Sequence, residues 1–202
     1  TWSVCREVWN YVEDGEIVPL DVVFYEVFKK AGFKLRNRIV WHFEHWLHSK
    51  NRFSGRYETI LRFTKSDSYT FNLDDVRVPQ KYPWKLHFKG AKKWLPSWNP
   101  LWKNPSDFRE IIAQDWEKEI REIPNVKSNH PEKTFHPCQF PIELVQRCVL
   151  ALSNEWDTIL DPFMWVGSSV LWALALKREA IWFELDVDYM SETKSRIKEL
   201  YN

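Results

Sequence analysis

The 202-residue sequence predicts an α/β fold, and three features indicate it. Apolar residues recur at helical spacing through residues 19–31. Two runs rich in β-forming residues follow, at 35–43 and 57–64, and they predict a hairpin or the edge of a sheet. A strand, a turn, a helix and a second strand then succeed one another between residues 158 and 185.

The N-terminal elements have clear boundaries. Residues 2–8 predict a short strand, and because the chain opens inside it we expect a fragment of a longer protein. The helix at 19–31 begins at Pro19, carries two lysines in its last turn and stops before Gly32.

Composition excludes several classes of protein. With 44% apolar and 28% charged residues the chain is not disordered, and a net charge of +1 excludes a uniformly basic nucleic-acid coat. Cys5, Cys138 and Cys148 are too widely spaced for a disulfide framework or a CxxC metal pair, which indicates a reducing compartment, the cytoplasm. No apolar run approaches the roughly 18 residues that span a membrane. The first residues are not expected to be a signal peptide, because no apolar h-region follows them.

The segment from Val76 to Ser106 contains no acidic residue and is rich in proline. A basic, prolyl, weakly periodic segment predicts a surface built from loops, suited to contacting phosphates, although a solvated loop would have the same composition. The acidic residues 107–123 that follow it predict a helix. The cationic candidates for DNA binding are Arg77, Lys81, Lys85, Lys89, Lys92, Lys93 and Lys103.

The C-terminal third predicts half of a nucleotide-binding unit. An amphipathic helix opening at Pro141 leads into a strand ending at Asp161, a turn and a helix at about 168–177. A second strand, 180–185, contains Glu184, about 20 residues beyond Asp161. In such units the backbone of the turn approaches the ligand and the acid accepts hydrogen bonds from ribose, so an adenosine-containing cofactor is expected. The alternative is that Glu184 is only a solvated acid at a strand end.

Several motifs resemble one family. HPCQFP at 136–141, DTILDPFMWVGSS at 157–169 and AIWFELDVDYM at 180–190 are similar to motifs of the beta-class amino-methyltransferases that modify DNA. Together with LRNRIVW, NRFSGRYE and RVPQKYP, they extend the resemblance over essentially the whole chain, to a subfamily of site-specific DNA methyltransferases.

The resemblance implies a Rossmann-like S-adenosylmethionine-dependent methyltransferase fold, incomplete at its N-terminus, with an inserted target-recognition region. It divides the chain into 1–65, the second half of the methyltransferase sheet; 66–130, the target-recognition region; and 131–202, the cofactor-binding half. The residues it assigns to S-adenosyl-L-methionine are His136, Pro137, Phe140, Asp161, Phe163, Gly167, Ser168 and Glu184.

The catalytic motif of the family, an Asp, Ser or Asn followed by Pro-Pro and an aromatic residue, is expected upstream of residue 2. Asn99-Pro100-Leu101-Trp102 only looks like it, and lies in the recognition region. The cysteines are then structural, because methyl transfer to an amine needs no thiol nucleophile.

The resemblance implies methyl transfer from S-adenosyl-L-methionine to an exocyclic amine of double-stranded DNA, with adenine N6 favoured over cytosine N4. A cognate restriction endonuclease is a further expected partner, and the fragment alone is expected to be inactive. Two alternatives stay open: an inactive DNA-binding fragment or specificity subunit, and an unrelated α/β protein with an adenosine cofactor.

Tryptophan is in excess and glycine is scarce, with 13 Trp and only 5 Gly. Of the tryptophans, the resemblance expects only Trp41 and Trp116. It expects Trp where Arg6, Arg62, Arg109 and Arg121 stand. At most of the chain's other tryptophans, the resemblance expects Gly. An exchange of Gly for Trp together with Trp for Arg is typical of UGA codons read as Trp where the source reads Gly, with some CGN codons read as Arg instead of Trp. A decaying pseudogene is the competing explanation. Glycine is expected at the positions of Trp2, Trp9, Trp46, Trp84, Trp94, Trp98, Trp102, Trp156, Trp165, Trp172 or nearby, and Trp182.

Overall fold

A computed structural model describes residues 2–42, 49–80, 82, 84–109, 134 and 141–201. Its elements in chain order are β1 (Ser3–Val8), β2 (Asn10–Glu13), β3 (Glu16–Pro19), α1 (Leu20–Lys30), β4 (Lys34–His42), β5 (Tyr57–Thr64), a 3₁₀ turn (Asp74–Val76), β6 (Phe108–Arg109), α2 (Ile142–Leu152), β7 (Thr158–Asp161), α3 (Ser168–Ala175), β8 (Glu179–Trp182) and α4 (Val187–Leu200). The predicted strand at 2–8, the helix at 19–31 and the C-terminal strand–helix alternation are confirmed.

The larger sheet has the strand order β1-β5-β4-β6. β5 pairs antiparallel with both β1 and β4, whereas β6 pairs parallel with β4. The predicted pairing of the two β-rich runs is therefore confirmed, but they lie inside the described sheet and not at its edge. The expected helix at 107–123 is wrong at its start, because Phe108 and Arg109 extend the sheet; residues 110–123 lie outside the described part of the chain.

A short hairpin of β2 and β3 precedes α1. Its turn residues, Asp14 and Gly15, have φ angles of 48° and 83°. Two successive positive φ angles match the twist of a two-residue hairpin, and Asp-Gly is a preferred pair for such a turn.

The central strand β5 is buried on both of its faces. Successive side chains of a strand point to opposite faces, so Ile60 and Phe63 face opposite ways. Ile60 packs in a cluster with Trp41 and with Leu144 of α2, while the ring of Phe63 stacks on Phe28 of α1 at 4.6 Å. Helices α1 and α2 therefore cover opposite faces of the sheet.

Two carboxyl groups meet on neighbouring strands of this sheet. Glu7 of β1 and Glu58 of β5 share a hydrogen bond. Burial, followed by the negative charge of Glu7, raises the pKa of Glu58 to about 9. Burial also raises the pKa of Glu7. The pair therefore retains a proton near neutral pH.

The two C-terminal strands form a separate ladder. β7 and β8 pair in parallel, with Asp161 opposite Trp182, and α3 is the crossover between them. Parallel strands need such a crossover, and a helix is its usual form. None of the helices in the described ranges is both long and apolar enough to cross a membrane.

Candidate cofactor site and basic loop

The turn after β7 is folded over the carboxylate of Asp161. One oxygen of Asp161 accepts the N–H of Phe163 at 3.0 Å, and the other accepts the hydroxyl of Ser169 in α3. Asp161 therefore joins the end of the strand to the start of the helix. This connection holds the turn backbone at the carboxyl end of the parallel strands, where ligands bind in open α/β sheets.

Gly167 ends this turn at a position that has no room for a side chain. Its φ angle is 78°, and a Cβ atom there would lie 2.8 Å from Oγ1 of Thr193 in α4 and closer still to its Cγ2. Thr193 is 1% exposed and cannot move away into solvent. Glycine at 167 therefore allows the start of α3, including the buried Ser168, to approach α4 closely.

Glu184 is oriented by the main chain around it. Its Oε2 accepts the N–H of Trp165 at 2.7 Å, and its Oε1 accepts those of Leu185 at 2.8 Å and Asp186 at 2.9 Å. An ionised carboxylate has about four acceptor positions, so these bonds leave capacity for a further donor. Glu184 and the 162–167 turn thus meet at one place, as the spacing from Asp161 predicts.

No sequence pattern predicted the side chains that support the turn from α4. Thr193 donates its hydroxyl to the carbonyl of Tyr189 at 3.0 Å and approaches that of Trp165 at 3.4 Å. Arg196 donates to the carbonyl of Val166. Both residues belong to the last helix, and only the tertiary packing of α4 brings them to the turn.

Phe163 presents an apolar face beside the turn, with 65% of its surface exposed. The predicted cofactor residues Asp161, Phe163, Gly167, Ser168 and Glu184 are therefore brought together. His136, Pro137 and Phe140 lie outside the described residues, so the expected packing of 136–141 against the turn stays a prediction.

The basic segment is a loop tied by short bridges. Val78 pairs with Lys103, and Leu86 pairs with Pro96, both antiparallel. This arrangement agrees with the predicted surface built from loops. The predicted cations that lie exposed on it are Lys85, Lys89, Lys92, Lys93 and Lys103.

Two of the predicted DNA-binding cations differ from the rest. Arg77 donates to Asp74 at 2.7 Å and to the carbonyl of Trp102 at 3.1 Å, and its side chain is only 14% exposed. Its guanidinium therefore ties the base of the loop together. Lys81 lies outside the described residues.

Exposed aromatic rings accompany the lysines. Tyr82, Trp84 and Phe88 are 54%, 73% and 65% exposed. The ammonium of Lys93 lies 5.2 Å from the ring centre of Trp94. Aromatic rings beside cations are what a nucleic-acid surface can use for stacking as well as for phosphate contact.

Cys5 and Cys148 lie beside each other. A hydrogen bond between the thiols of Cys5 and Cys148 raises the pKa of Cys5, and a raised pKa disfavours the reactive thiolate. No cluster of metal-ligating side chains occurs within the described ranges.

Comparison with known proteins decides the family. The family model N6_N4_Mtase, described as DNA methylase, matches residues 8–195. The chain belongs to this DNA methylase family.

Solved structures agree on the fold. The cytosine-N4-specific PvuII DNA methyltransferase aligns with a TM-score of 0.68 at 17% identity, over 99% of this chain and 68% of that one. The M1.HpyAVI–SAM complex aligns with a TM-score of 0.53 at 20% identity, over 87% of this chain and 69% of that one. This DNA methylase chain thus has the Rossmann-like methyltransferase fold that the resemblance implied.

Curated relatives of this DNA methylase are longer. Type II methyltransferase M.BglII of Bacillus subtilis is 41% identical over 93% of this chain and 49% of its own length. Type II methyltransferase M.ScaI of Streptomyces caespitosus is 31% identical over 91% of this chain and 56% of its own. The DNA adenine methyltransferase YhdJ of Escherichia coli K12 is 29% identical over 78% of this chain and 50% of its own. The chain spans about half the length of the curated relatives it matches.

Proposed function

We propose that the protein to which this chain belongs transfers a methyl group from S-adenosyl-L-methionine to an exocyclic amine in double-stranded DNA, at a specific site. The observation that carries the proposal is the junction of the 162–167 turn with Glu184, whose carboxylate is held by main-chain N–H groups at the end of a parallel strand pair. Membership of the DNA methylase family supports it.

The residues at this junction fit S-adenosyl-L-methionine. Glu184 retains acceptor capacity for ribose hydroxyls, and the exposed ring of Phe163 offers an apolar surface. Gly167 lets α3 begin close to α4, and Asp161 fixes the turn. The cofactor supplies an activated methyl group; this chain would supply binding and orientation. Residues 136–140 are proposed as a further part of the site.

Adenine N6 is the proposed target, with cytosine N4 as the alternative. Relatives of both kinds support the family: YhdJ is named a DNA adenine methyltransferase and PvuII a cytosine-N4-specific one. Hydrolysing DNA methylated by the whole protein and identifying N6-methyladenine or N4-methylcytosine by mass spectrometry separates the two.

The target-recognition region is proposed to lie at 66–130, between a sheet part at 1–65 and a cofactor part at 131–202. The exposed lysines of its loop would contact phosphates, which positions the protein without reading bases. The names of the Type II relatives support a cognate restriction endonuclease as a partner system. The cytoplasm is proposed as the place of action, because the widely spaced cysteines suit a reducing compartment.

Glu184 provides the test of the cofactor site. In the whole protein, Glu184→Ala is expected to lower the affinity for S-adenosyl-L-methionine by at least about tenfold, since a bond to a charged group contributes about 1.5–3 kcal/mol. Isothermal titration measures it. Glu179→Ala is the matched control, because Glu179 is an exposed acid of β8 bonded to Thr158 at 3.1 Å. Equal affinities of both variants, with unchanged melting temperatures, would contradict the proposed site.

Trp165 gives a second test at the same turn. Its half-buried indole stands where close backbone approach to the cofactor is expected, and overpacking typically costs about 1–3 kcal/mol. Trp165→Gly is therefore expected to raise the affinity for S-adenosyl-L-methionine roughly 5- to 100-fold. Unchanged affinity would show that the indole does not face the cofactor.

A further inference from the structure

Four tryptophans occupy a backbone conformation that belongs to glycine. Trp94, Trp102, Trp156 and Trp165 have φ angles of 71°, 73°, 69° and 52°. Among the described residues, only Asp14 and Lys177 are other non-glycine residues with positive φ. In this region Cβ crowds the neighbouring carbonyl oxygen, and a bulky residue there is an outlier. Because only 13 of 202 residues are Trp, abundance alone does not explain this concentration.

The surrounding main chain sets these conformations. The N–H of Trp94 donates to the carbonyl of His87 at 2.8 Å, and that of Trp156 donates to the carbonyl of Lys177 at 2.8 Å. Trp102 closes a turn onto the carbonyl of Asn99 at 3.0 Å in the same way. The turns therefore need a left-handed residue at these places whatever its side chain is.

The indoles of three of these tryptophans are largely exposed to solvent. Trp94, Trp102 and Trp156 are 62%, 53% and 71% exposed. Trp41, which the family resemblance expects, is 2% exposed in the core. Strained backbone persists where packing or function compensates for it, and packing does not compensate at these exposed positions.

Two arginines place guanidinium groups with unused hydrogen-bond donors among aromatic rings. Arg62 is 4% exposed, its Nε and Nη2 have no hydrogen-bond partner, and its Nη1 donates to Asn37 at 3.2 Å. Its guanidinium lies 4.8 Å from the ring centre of Tyr69 and 4.9 Å from that of Phe71. The Nε of Arg6 is likewise buried without a partner, with Phe24 at 4.5 Å. Buried charge with unused donors is costly, whereas an apolar ring fits among aromatic neighbours.

We propose that the polypeptide made by the source organism carries glycine at 94, 102, 156 and 165, and tryptophan at 6 and 62. Reading the gene with a codon table that the organism does not use then gives tryptophan at the first four positions and arginine at the other two. Random decay of a gene would place new tryptophans without regard to φ, and would not place arginine where an aromatic residue fits. The inference concerns residue identity and does not depend on the proposed function.

The direct test is the mass of the natural protein. Peptides of the protein purified from its source should contain glycine at 94, 102, 156 and 165 and tryptophan at 41 and 62. In the gene, the four suspect positions should share one codon that Trp41 does not use. Tryptophan in those four peptides, or the same codon at all five positions, would overturn the proposal.

Thermal stability of the whole protein is an independent test. Trp94→Gly, Trp102→Gly and Trp156→Gly are each expected to raise the melting temperature by roughly 2–4 °C. Trp84→Gly is the matched control: Trp84 lies in the same loop as Trp94, is 73% exposed and is not among the residues with positive φ. Its replacement should leave the melting temperature unchanged or lower it.

Arg62 completes this set of variants. Arg62→Trp should raise the melting temperature, while Arg36→Trp should lower it, because Arg36 is bonded to Thr64 and Asp67. If the positive-φ variants behave like Trp84→Gly, and Arg62→Trp behaves like Arg36→Trp, the backbone does not demand glycine and the proposal fails. Neither measurement involves S-adenosyl-L-methionine, so this failure is distinct from that of the proposed function.

Discussion

The β1-β5-β4 sheet and the 158–186 segment are stabilised in different ways. In the sheet, large side chains fill the interior: Trp41, Leu61 and Phe63 are 2%, 1% and 0% exposed. In the 158–186 segment, main-chain N–H groups bonded to Asp161 and Glu184 hold the turn. The sheet therefore depends on side-chain volume, and the turn depends on the conformations that its backbone can adopt.

The largest expected effect is the loss of volume in the sheet. Trp41→Gly should lower the free energy of unfolding by about 3–5 kcal/mol for the emptied space, and by roughly 0.5–1 kcal/mol more for glycine in a strand. Urea unfolding followed by circular dichroism measures it. Trp156→Gly removes an equal volume from an exposed turn and should not destabilise the protein; similar losses for both variants would remove the contrast between the two kinds of region.

The next effect is the addition of a single methyl group to the turn. Gly167→Ala combines a left-handed backbone cost of about 1–2 kcal/mol with an overpacking cost of about 1–3 kcal/mol against Thr193. Gly15→Ala is the control, since Gly15 has a φ of 83° but nothing within 4 Å of the place that an alanine methyl group would occupy. Denaturant unfolding should show a larger loss for Gly167→Ala; equal losses would show that α4 moves away.

The carboxyl pair predicts a pH dependence that arises in the sheet alone. The folded-state pKa of Glu58, about 9, exceeds its ordinary value of 4.5, so the folded protein holds this proton more tightly than the unfolded chain. That contribution to stability is complete below about pH 4.5 and is lost as the pH rises towards about 9. Unfolding measured at several pH values should therefore show stability falling with pH.

Glu58→Gln should make this slope shallower, because an amide does not ionise, while Glu7 keeps part of the slope through its own raised pKa. Glu16→Gln, at an exposed glutamate of β3, should leave the slope unchanged. A slope that survives undiminished in Glu58→Gln would assign the pH dependence to other groups.

The smallest effect on stability, but a clear one on binding, is expected in the basic loop. Lys92→Ala with Lys93→Ala should weaken binding to all duplex sequences and reduce the slope of log affinity against log salt by about 2, since each phosphate contact contributes about 0.9. Fluorescence anisotropy of the whole protein at several salt concentrations measures it. Lys29→Ala with Lys30→Ala removes the same charge from α1 and should leave the slope unchanged.

Local patterns predicted some elements well and long-range pairing poorly. Helical spacing located α1 and α2, and the alternation after residue 158 located β7, α3 and β8. The two-residue strand β6 could not be predicted, because it is defined by its parallel pairing with β4, far away in sequence. Its flanking charges and apolar spacing indicated a helix instead.

Residue types and their local spacing were enough to predict the candidate site: an acid at 161, glycine at 167, a second acid at 184 and a loop rich in lysine. These depend on residue type and local spacing, which a sequence states directly. Three further features became visible only in the folded chain: Thr193 leaves no room at Gly167, Arg77 is bonded within the loop, and tryptophans occupy left-handed positions. Each of these depends on contacts between distant residues or on a backbone angle set by such contacts, and hydrogen bonding and packing settle them only when the chain is folded.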